Sequence, residues 1–364
     1  MKYAVIDISS SGISLIAAET YGKNTEILFK DRSSLSLLHY LDGEKLAPRG
    51  IEKLIDGLLV CKDTCAGLGV DVVYLISTAA LRAIRNFDEV SAAVTKSTGL
   101  TVNFIDGPTE AYCDFIANEY YASFDRPVLI DLGGKSMEIC DLSKSNKEDM
   151  LCLDFGLIDL YEKFVKGIQP TEEEAKDIKK YVRARFDKKE LPGEGAFATA
   201  VVVGATARAV YDIYADFADV HEEDGVKTIV YKKFKKLVRR LISGEDRSGL
   251  VMNNAPEKLH VVVPAAIVLK TLFKRFGVSR IVVSDRGVKE GYLRLVLEGK
   301  EQGAFFEFRA EREKAAEKEQ KAAKKPAKKA PKGAQKAEKP AAAAKTSAKR
   351  PPKKVGPAEE VKKK

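Results

Sequence analysis

The sequence predicts an α/β protein of two related lobes followed by a disordered basic tail. Three observations carry this. An apolar pair, an Asp, a further apolar residue and a small-residue bend occur twice, with Asp7 and Asp131 at matching places 124 residues apart. Strand-like runs alternate with helical ones through residue 300. Beyond residue 321 the chain holds almost only Ala, Lys, Pro, Gly and Glu.

The elements follow in order. Tyr3 to Ala18 reads as a strand, a tight Ser9-Ser10-Ser11-Gly12 turn and a second strand, with β-branched residues on both sides. Ile51, Leu54, Ile55, Leu58 and Leu59 recur at helical spacing after Pro48, predicting an amphipathic helix that ends near Gly67. Val72 to Ile76 is a buried strand, and Ser77 to Ile84 a turn running into a helix. Val102 to Ile105 is a short strand, after which Asp106-Gly107-Pro108 opens a helix through Tyr120, with Pro in the favoured first turn. At Val128 the opening pattern returns as Leu129-Ile130-Asp131-Leu132-Gly133-Gly134-Lys135-Ser136. A repeat at this distance implies two lobes rather than a solenoid of short units. The expected lobes are residues 1–122 and 123–300. Two strand-turn-helix units complete the second, Ala200 to Tyr214 and Arg280 to Leu297. Residues 301–320 read as a charged helical extension.

Charge belongs to two different parts of the chain. Residues 321–364 hold 16 Lys plus Arg against 3 Glu, leaving 46 against 50 for residues 1–320. A tail at +13 is thus joined to a body at −4, and the whole-chain value of +9 describes neither. The tail cannot bury enough apolar surface to offset the entropy of ordering, so it is expected to be disordered. Its cations either solvate it or make nonspecific, salt-dependent contact with a polyanion, nucleic acid included.

Met1 and Lys2 lead directly into a strand that Asp7 interrupts, unlike a signal-peptide core, and no apolar run reaches membrane-spanning length. A cytoplasmic protein without membrane contact is expected. Cys61, Cys65, Cys113, Cys140 and Cys152 are an odd number in a large chain and read as buried reduced thiols. His39, His221 and His260 stand in no motif. The sequence is compatible with a homodimer but does not require one.

The chemistry lies in four small-residue bends that follow strands. Tight turns without bulky side chains let backbone amides converge on an anion, and a following helix N-terminus adds positive potential. One such bend is only a turn; four, two of them repeated with Asp at the strand end, point to a phosphate site between lobes. Asp7 and Asp131 at those ends either cap turns or hold a hydrated Mg2+. Glu110 at a helix start either satisfies orphan amides or acts chemically, and Glu138 on its strand faces either solvent or the site.

These segments together resemble the exopolyphosphatase and guanosine pentaphosphate phosphohydrolase (Ppx/GppA) family. Ile6-Asp7-Ile8-Ser9-Ser10 is similar to its first phosphate loop. Ser77-Thr78-Ala79-Ala80-Leu81-Arg82 is similar to its Thr-x-Ala-Leu-Arg segment, and Ile105 to Ala111 to its Gly-x-x-Glu-Ala segment. Ile130 to Glu138 resembles the second phosphate loop. Gly204 to Ala209 and Ser284 to Gly291 resemble the last two motifs. All six occur in the family's order over about 300 residues.

The resemblance implies the actin-like fold of sugar kinases, Hsp70 and actin, a two-lobed ribonuclease H-like architecture, in a short form without a C-terminal helical domain. It implies an Mg2+-dependent exopolyphosphatase that hydrolyses polyphosphate, guanosine pentaphosphate, or both. Glu110 would be the general base, Arg82 would bind the phosphate being transferred, and Asp7, Asp131 and Glu138 would organise Mg2+ and water. The phosphate chain would be held around Ser9, Ser10, Ser11, Gly12 and Thr78, around Gly133, Gly134, Lys135 and Ser136, and around Gly204, Ala205 and Thr206. The chain departs from the family's pattern at several places. Ser9 and Lys135 stand for Gly, Ser11 for Asn, Met137 for Thr, Asp159 for Arg, Ala205 for Gly and Lys289 for Arg. Lys135 would then offer a cation where a glycine's backbone would otherwise approach phosphate. These departures leave an alternative open, a polyphosphate-, nucleotide- or nucleic-acid-binding protein of the same fold with impaired turnover.

Overall fold

The computed structural model describes residues 1–309 apart from 10, 11, 23, 34, 36, 79, 80, 82, 83 and 221–224. The tail and most of the predicted charged extension therefore lie outside the described residues.

Two mixed sheets are built on the same plan. In the first, β1 (Lys2–Ser9) and β2 (Gly12–Tyr21) form an antiparallel hairpin extended by β3 (Asn24–Ser33), and β4 (Val72–Ser77) joins β1 in parallel, followed by β5 (Val102–Phe104). In the second, β6 (Pro127–Leu132) and β7 (Met137–Asp141) form the hairpin, and β8 (Leu151–Leu153) extends it. There β9 (Thr199–Val203) joins β6 in parallel, β11 (Arg280–Val283) follows, and β10 (Lys227–Ile229) closes that edge. The order is thus 3-2-1-4-5 in one sheet and 8-7-6-9-11 in the other. The predicted repeat is real at the level of register: Asp7 pairs with Ser14 across the first hairpin, and Asp131 with Glu138 across the second.

The parallel pairs need crossovers, and helices supply them. α1 (Pro48–Gly67) links the first hairpin to β4 and buries Ile51, Leu54, Leu58, Cys61 and Cys65 at helical spacing. α2 (Phe87–Thr98) packs beside it. α3 (Gly107–Asn118) opens as expected, with Asp106 accepting from the Thr109 amide at 2.8 Å, but gives way to a 3-10 turn before Tyr120. In the second half lie α4 (Leu157–Phe164), α5 (Glu172–Lys188), α6 (Ala205–Ala218), α7 (Tyr231–Ser243), α8 (Arg247–Asn254), α9 (Val262–Phe276) and α10 (Val288–Leu297). α5 starts on a reciprocal cap, the Thr171 hydroxyl accepting from the Glu174 amide and the Thr171 amide donating to Glu174.

α3 and α10 lie against each other between the two sheets. One apolar cluster joins Val5, Ile16 and Ile76 of the first sheet to Leu129, Val201 and Val203 of the second, through Ala111 and Phe115 of α3 and Leu293 of α10. The two helices approach closely because Gly291 has no side chain; a Cβ there would overlap the Cys113 carbonyl. Alternate strand residues share a face. Asp7 continues the face of Val5, and Asp131 and Glu138 continue that of Leu129 and Cys140. All three carboxylates therefore emerge on the faces turned toward α3 and α10.

The expectation for the segment after the second lobe is corrected. The segment after residue 300 is not helical throughout, because β12 (Phe305–Glu307) pairs antiparallel with β4 and returns the chain to the first sheet. β3, ten residues long and mostly exposed, lacks a continuous apolar face, so no pattern in the sequence marks it as a strand. The cysteines are free, four of them buried and Cys152 half-buried. Among the described residues no helix is long and apolar enough to cross a membrane.

Candidate active site

The candidate site forms where β1, β4, β6 and β9 end and the helices between the sheets begin. Asp7 is 8% exposed. Burial pushes its carboxyl up to about 6, while Lys289 and Arg32 work in the opposite direction and Asp131 adds to the rise. Thr78, buried at the end of β4, hydrogen-bonds to Asp7 through its side chain, and its amide donates to the Ile8 carbonyl at 3.3 Å. Ser9 and Gly12 close the first bend, with the Ser9 hydroxyl donating to the Gly12 carbonyl at 3.0 Å. Ser10, Ser11 and Arg82 lie outside the described residues.

Glu110 sits in the first turn of α3, 8% exposed, and Asp114 lies one turn further on, fully buried. Sequence reasoning missed Asp114, which on a helix reads as one more acid. Burial, then Asp131, Glu110 and Glu138, hold the Asp114 carboxyl well above the ordinary range, and its side chain lies against that of Asp131. Apart from that contact neither Asp114 oxygen has a hydrogen-bonding partner among the described residues. Burial raises Asp131 as well, opposed by the Asp114 hydrogen bond, Arg208, the Leu132 amide and Lys289. Glu138 is fully buried on β7 opposite Asp131, which removes the solvent-facing reading of its strand position.

The third bend is fitted to Asp131. Gly204 precedes α6 at φ +95, and a Cβ built on it would lie 2.5 Å from Asp131 Oδ1. Ala205 and the buried Thr206 follow in the first turn of α6. In the second bend the Gly133 and Gly134 carbonyls accept from the Leu157 and Ile158 amides, at 3.0 and 2.8 Å, which ties the loop to the start of α4. Ser136 closes this bend before β7. Lys135 differs from the expectation: its ammonium is held by Asp159 at 2.8 Å and Glu162 at 3.0 Å, so α4 rather than an incoming phosphate engages it in this structure.

Cations that no spacing pattern singled out gather around the carboxylates. Arg32 from β3, Arg208 from α6 and Lys258 just before α9 are electrostatic neighbours. Lys258 is 5% exposed, and burial, then Arg32 and Arg208, bring its ammonium down to about 7. Burial also lowers Arg32. Lys30 of β3 bridges to Glu290 of α10 at 2.6 Å, joining the first sheet to the last motif. Neighbouring buried cations of one sign are stabilised by an anion among them.

A divalent cation fits the carboxylates. Asp7 Oδ1 is buried with no hydrogen-bond partner among the described residues, and an orphaned carboxylate oxygen is a natural ligand for a hard cation. No three His, Cys, Asp or Glu among the described residues are arranged as a ligand set. Mg2+ commonly takes only one or two carboxylates and completes its shell with water and phosphate oxygens.

The profile of the Ppx/GppA phosphatase family matches residues 15–298. The chain belongs to the Ppx/GppA phosphatase family. It is accordingly a phosphoric anhydride hydrolase with an actin-like fold. Exopolyphosphatase 1 of Mycobacterium tuberculosis is 20% identical over 314 residues, 83% of this chain and 90% of that protein. The bifunctional 3-dehydroquinate synthase/phosphatase of Fusobacterium nucleatum is 25% identical over 319 residues, 82% of this chain and 46% of that protein. Among solved structures, the Aquifex aeolicus PPX-GPPA enzyme is similar with a TM-score of 0.66 at 25% identity, covering 81% of this chain and 99% of that one. An exopolyphosphatase from Cytophaga hutchinsonii is similar in fold, with a TM-score of 0.73 at 18% identity, over 84% of this chain and all of that one.

Proposed function

We propose that this Ppx/GppA family enzyme releases the terminal phosphate of inorganic polyphosphate, with water as acceptor. One observation carries the reading: Lys289 and Arg32 act on the buried Asp7, Arg208 and Lys289 act on the buried Asp131, and Lys258 lies in the field of Arg32 and Arg208, while Glu110 at the start of α3 acts on Asp114. A linear polyanion brings compensating negative charge to such a cluster of cations, and a neutral substrate brings none. The family relatives named exopolyphosphatase support the same substrate class.

In this reading Glu110 takes a proton from the attacking water. The water oxygen forms a bond to the terminal phosphorus as the bond to the bridging oxygen breaks, and the shortened chain leaves with the negative charge. Lys289, Arg208 and Arg32 offset that charge, and Arg82 binds the phosphoryl group in transfer. Asp7 and Asp131 would hold Mg2+, with Glu138 behind Asp131; when bound, the ion supplies charge neutralisation on the phosphate oxygens. Amides at the three bends position the chain. Positioning and electrostatics of this kind account for most phosphoryl-transfer catalysis.

Guanosine pentaphosphate presents a similar phosphate terminus and is the second substrate to test. The competing reading, a cleft that binds polyphosphate, nucleotide or nucleic acid without turnover, is favoured by the engagement of Lys135 with Asp159 and Glu162. Phosphate release from defined-length polyphosphate and from guanosine pentaphosphate, with Mg2+ and with EDTA, decides among them. Magnesium-dependent release from polyphosphate supports the proposal. Release from guanosine pentaphosphate alone changes the substrate, and binding without release from either leaves a retired site.

A further inference from the structure

We propose that the outer face formed by α5, α7 and α9 is a second binding site, for extended polyanions, taken by the distal part of a long polyphosphate chain. The inference rests on polyphosphate being the substrate of the cleft.

α7 carries Lys232, Lys233, Lys235, Lys236, Arg239 and Arg240 and no acid, while Phe234, Leu237, Val238 and Leu241 form its buried side. On α5, Lys176, Lys179, Lys180 and Arg183 stand at i, i+3, i+4 and i+7, which places them on one helix face. α9 packs against both helices and contributes Lys270 and Lys274 between them. Lys179 lies in the field of Arg183 and Lys274, and Lys270 in that of Lys179, Arg239, Lys235 and Lys274. Burial comes first and these like charges second in holding both ammonium groups below their ordinary value. On the α5 part of this face opens a shallow cavity of about 320 Å³, lined by Lys176, Lys179, Lys180, Arg183, Ala184 and Asp187. Its one acid is engaged by Arg275.

This concentration does not follow from overall composition, because residues 1–320 are net negative. The cations are mostly exposed and come from three helices without a fixed polar cradle. That suits a flexible chain of phosphates better than one small anion, since ammonium groups act as point charges without set geometry. α9 also connects the two places. It begins four residues after Lys258 of the cleft, and Lys270 lies about 12 Å of helix rise beyond its first residue. The α5 cavity lining has no aromatic ring, and Tyr231 of α7 is engaged by Phe273 and Lys235 rather than offered to a base, so polyphosphate is favoured over single-stranded nucleic acid.

The test uses the full chain carrying Lys179→Glu, Arg183→Glu, Lys270→Glu and Lys274→Glu together. A second variant, Lys180→Glu with Arg183→Glu and Lys274→Glu, changes exposed positions only and guards against a folding defect. KM is measured for long-chain polyphosphate and for tripolyphosphate, and the Kd of fluorescently labelled long-chain polyphosphate is followed across a salt series. The site predicts at least a tenfold loss for the long chain, a shallower salt dependence, and tripolyphosphate kinetics within twofold of the parent. Equal changes for long and short chains, or none, overturn it. So does loss of duplex DNA binding with polyphosphate binding intact, which would make the face a nucleic-acid surface. Should the parent protein hydrolyse neither substrate, the labelled-chain titration still decides this point separately from the proposed activity.

Discussion

The Lys135 ammonium stands 2.8 Å from Asp159 Oδ1 across the gap between the second phosphate bend and α4. Two of the positions at which this chain departs from its family's pattern, a Lys for Gly and an Asp for Arg, therefore meet. Both side chains are partly exposed, at 26% and 36%, so their pairing contributes at most about 1 kcal/mol. We predict that Asp159→Arg alone lowers Tm by about 2–4 °C by placing two cations together. Lys135→Gly with Asp159→Arg should recover most of that loss. A thermal-denaturation double-mutant cycle checks this, and additive losses would show that the two positions are independent.

Gly204 is the position where the smallest change should do most damage. A Cβ there meets Asp131 Oδ1 at 2.5 Å, and the positive φ strains any L side chain. Gly204→Ala should cut kcat/KM by about 100-fold, as expected when a charge-positioning group is displaced from a phosphoryl-transfer site. Gly193→Ala, where the added methyl meets nothing within 4 Å, should be neutral. Comparing the two variants' steady-state kinetics separates a local fit from a general intolerance of glycine replacement.

Lys258 should make polyanion binding pH-dependent. The free protein holds its ammonium at about 7, against 10.5 in the unfolded chain. Between those values the unfolded chain binds the extra proton, so this group's contribution to stability rises with pH across that window. A bound polyanion favours the charged form and raises the value again. Polyphosphate binding at pH 8 should therefore take up about one proton, seen as a dependence of the calorimetric enthalpy on buffer ionisation. Lys258→Met should abolish that uptake.

Asp7 and Asp114 act with the opposite sign. Both carboxyls are raised by burial, Asp7 to about 6 and Asp114 well above its ordinary value. Their contribution to stability is fully present below the unfolded value of 3.8 and is lost as pH rises through the folded values. Asp114→Asn puts an amide beside Asp131 that cannot ionise. We predict a Tm about 2–4 °C higher at pH 8 in EDTA, with the difference shrinking at pH 5, measured by differential scanning fluorimetry.

The parts of this site that the sequence discloses are those built from one strand and the bend after it. Asp7 and Asp131 stand out because each ends an apolar strand before small residues, and the repeat makes them equivalent. Glu110 stands out because Asp106, Gly107 and Pro108 announce a helix start. Arg32 and Lys258 do not, since each reaches the cleft only through the packing of sheets and helices far apart in sequence. Asp114 is hidden differently: four residues from Glu110 it looks like a surface acid, and only the close approach of α3 and α10, permitted by Gly291, buries it. β12 is missed because its pairing with β4 joins segments about 230 residues apart in a chain whose charge at that point suggests a helix.

The central claim is that Glu110 activates water in a cleft that binds polyphosphate. Its most direct test is the turnover of Glu110→Gln beside its affinity for the same chain. Glu110→Gln should lower kcat by about 10²–10⁴-fold and leave the Kd for polyphosphate unchanged within about twofold. A variant that keeps kcat within a few-fold of the parent would contradict it and move the general base to another residue.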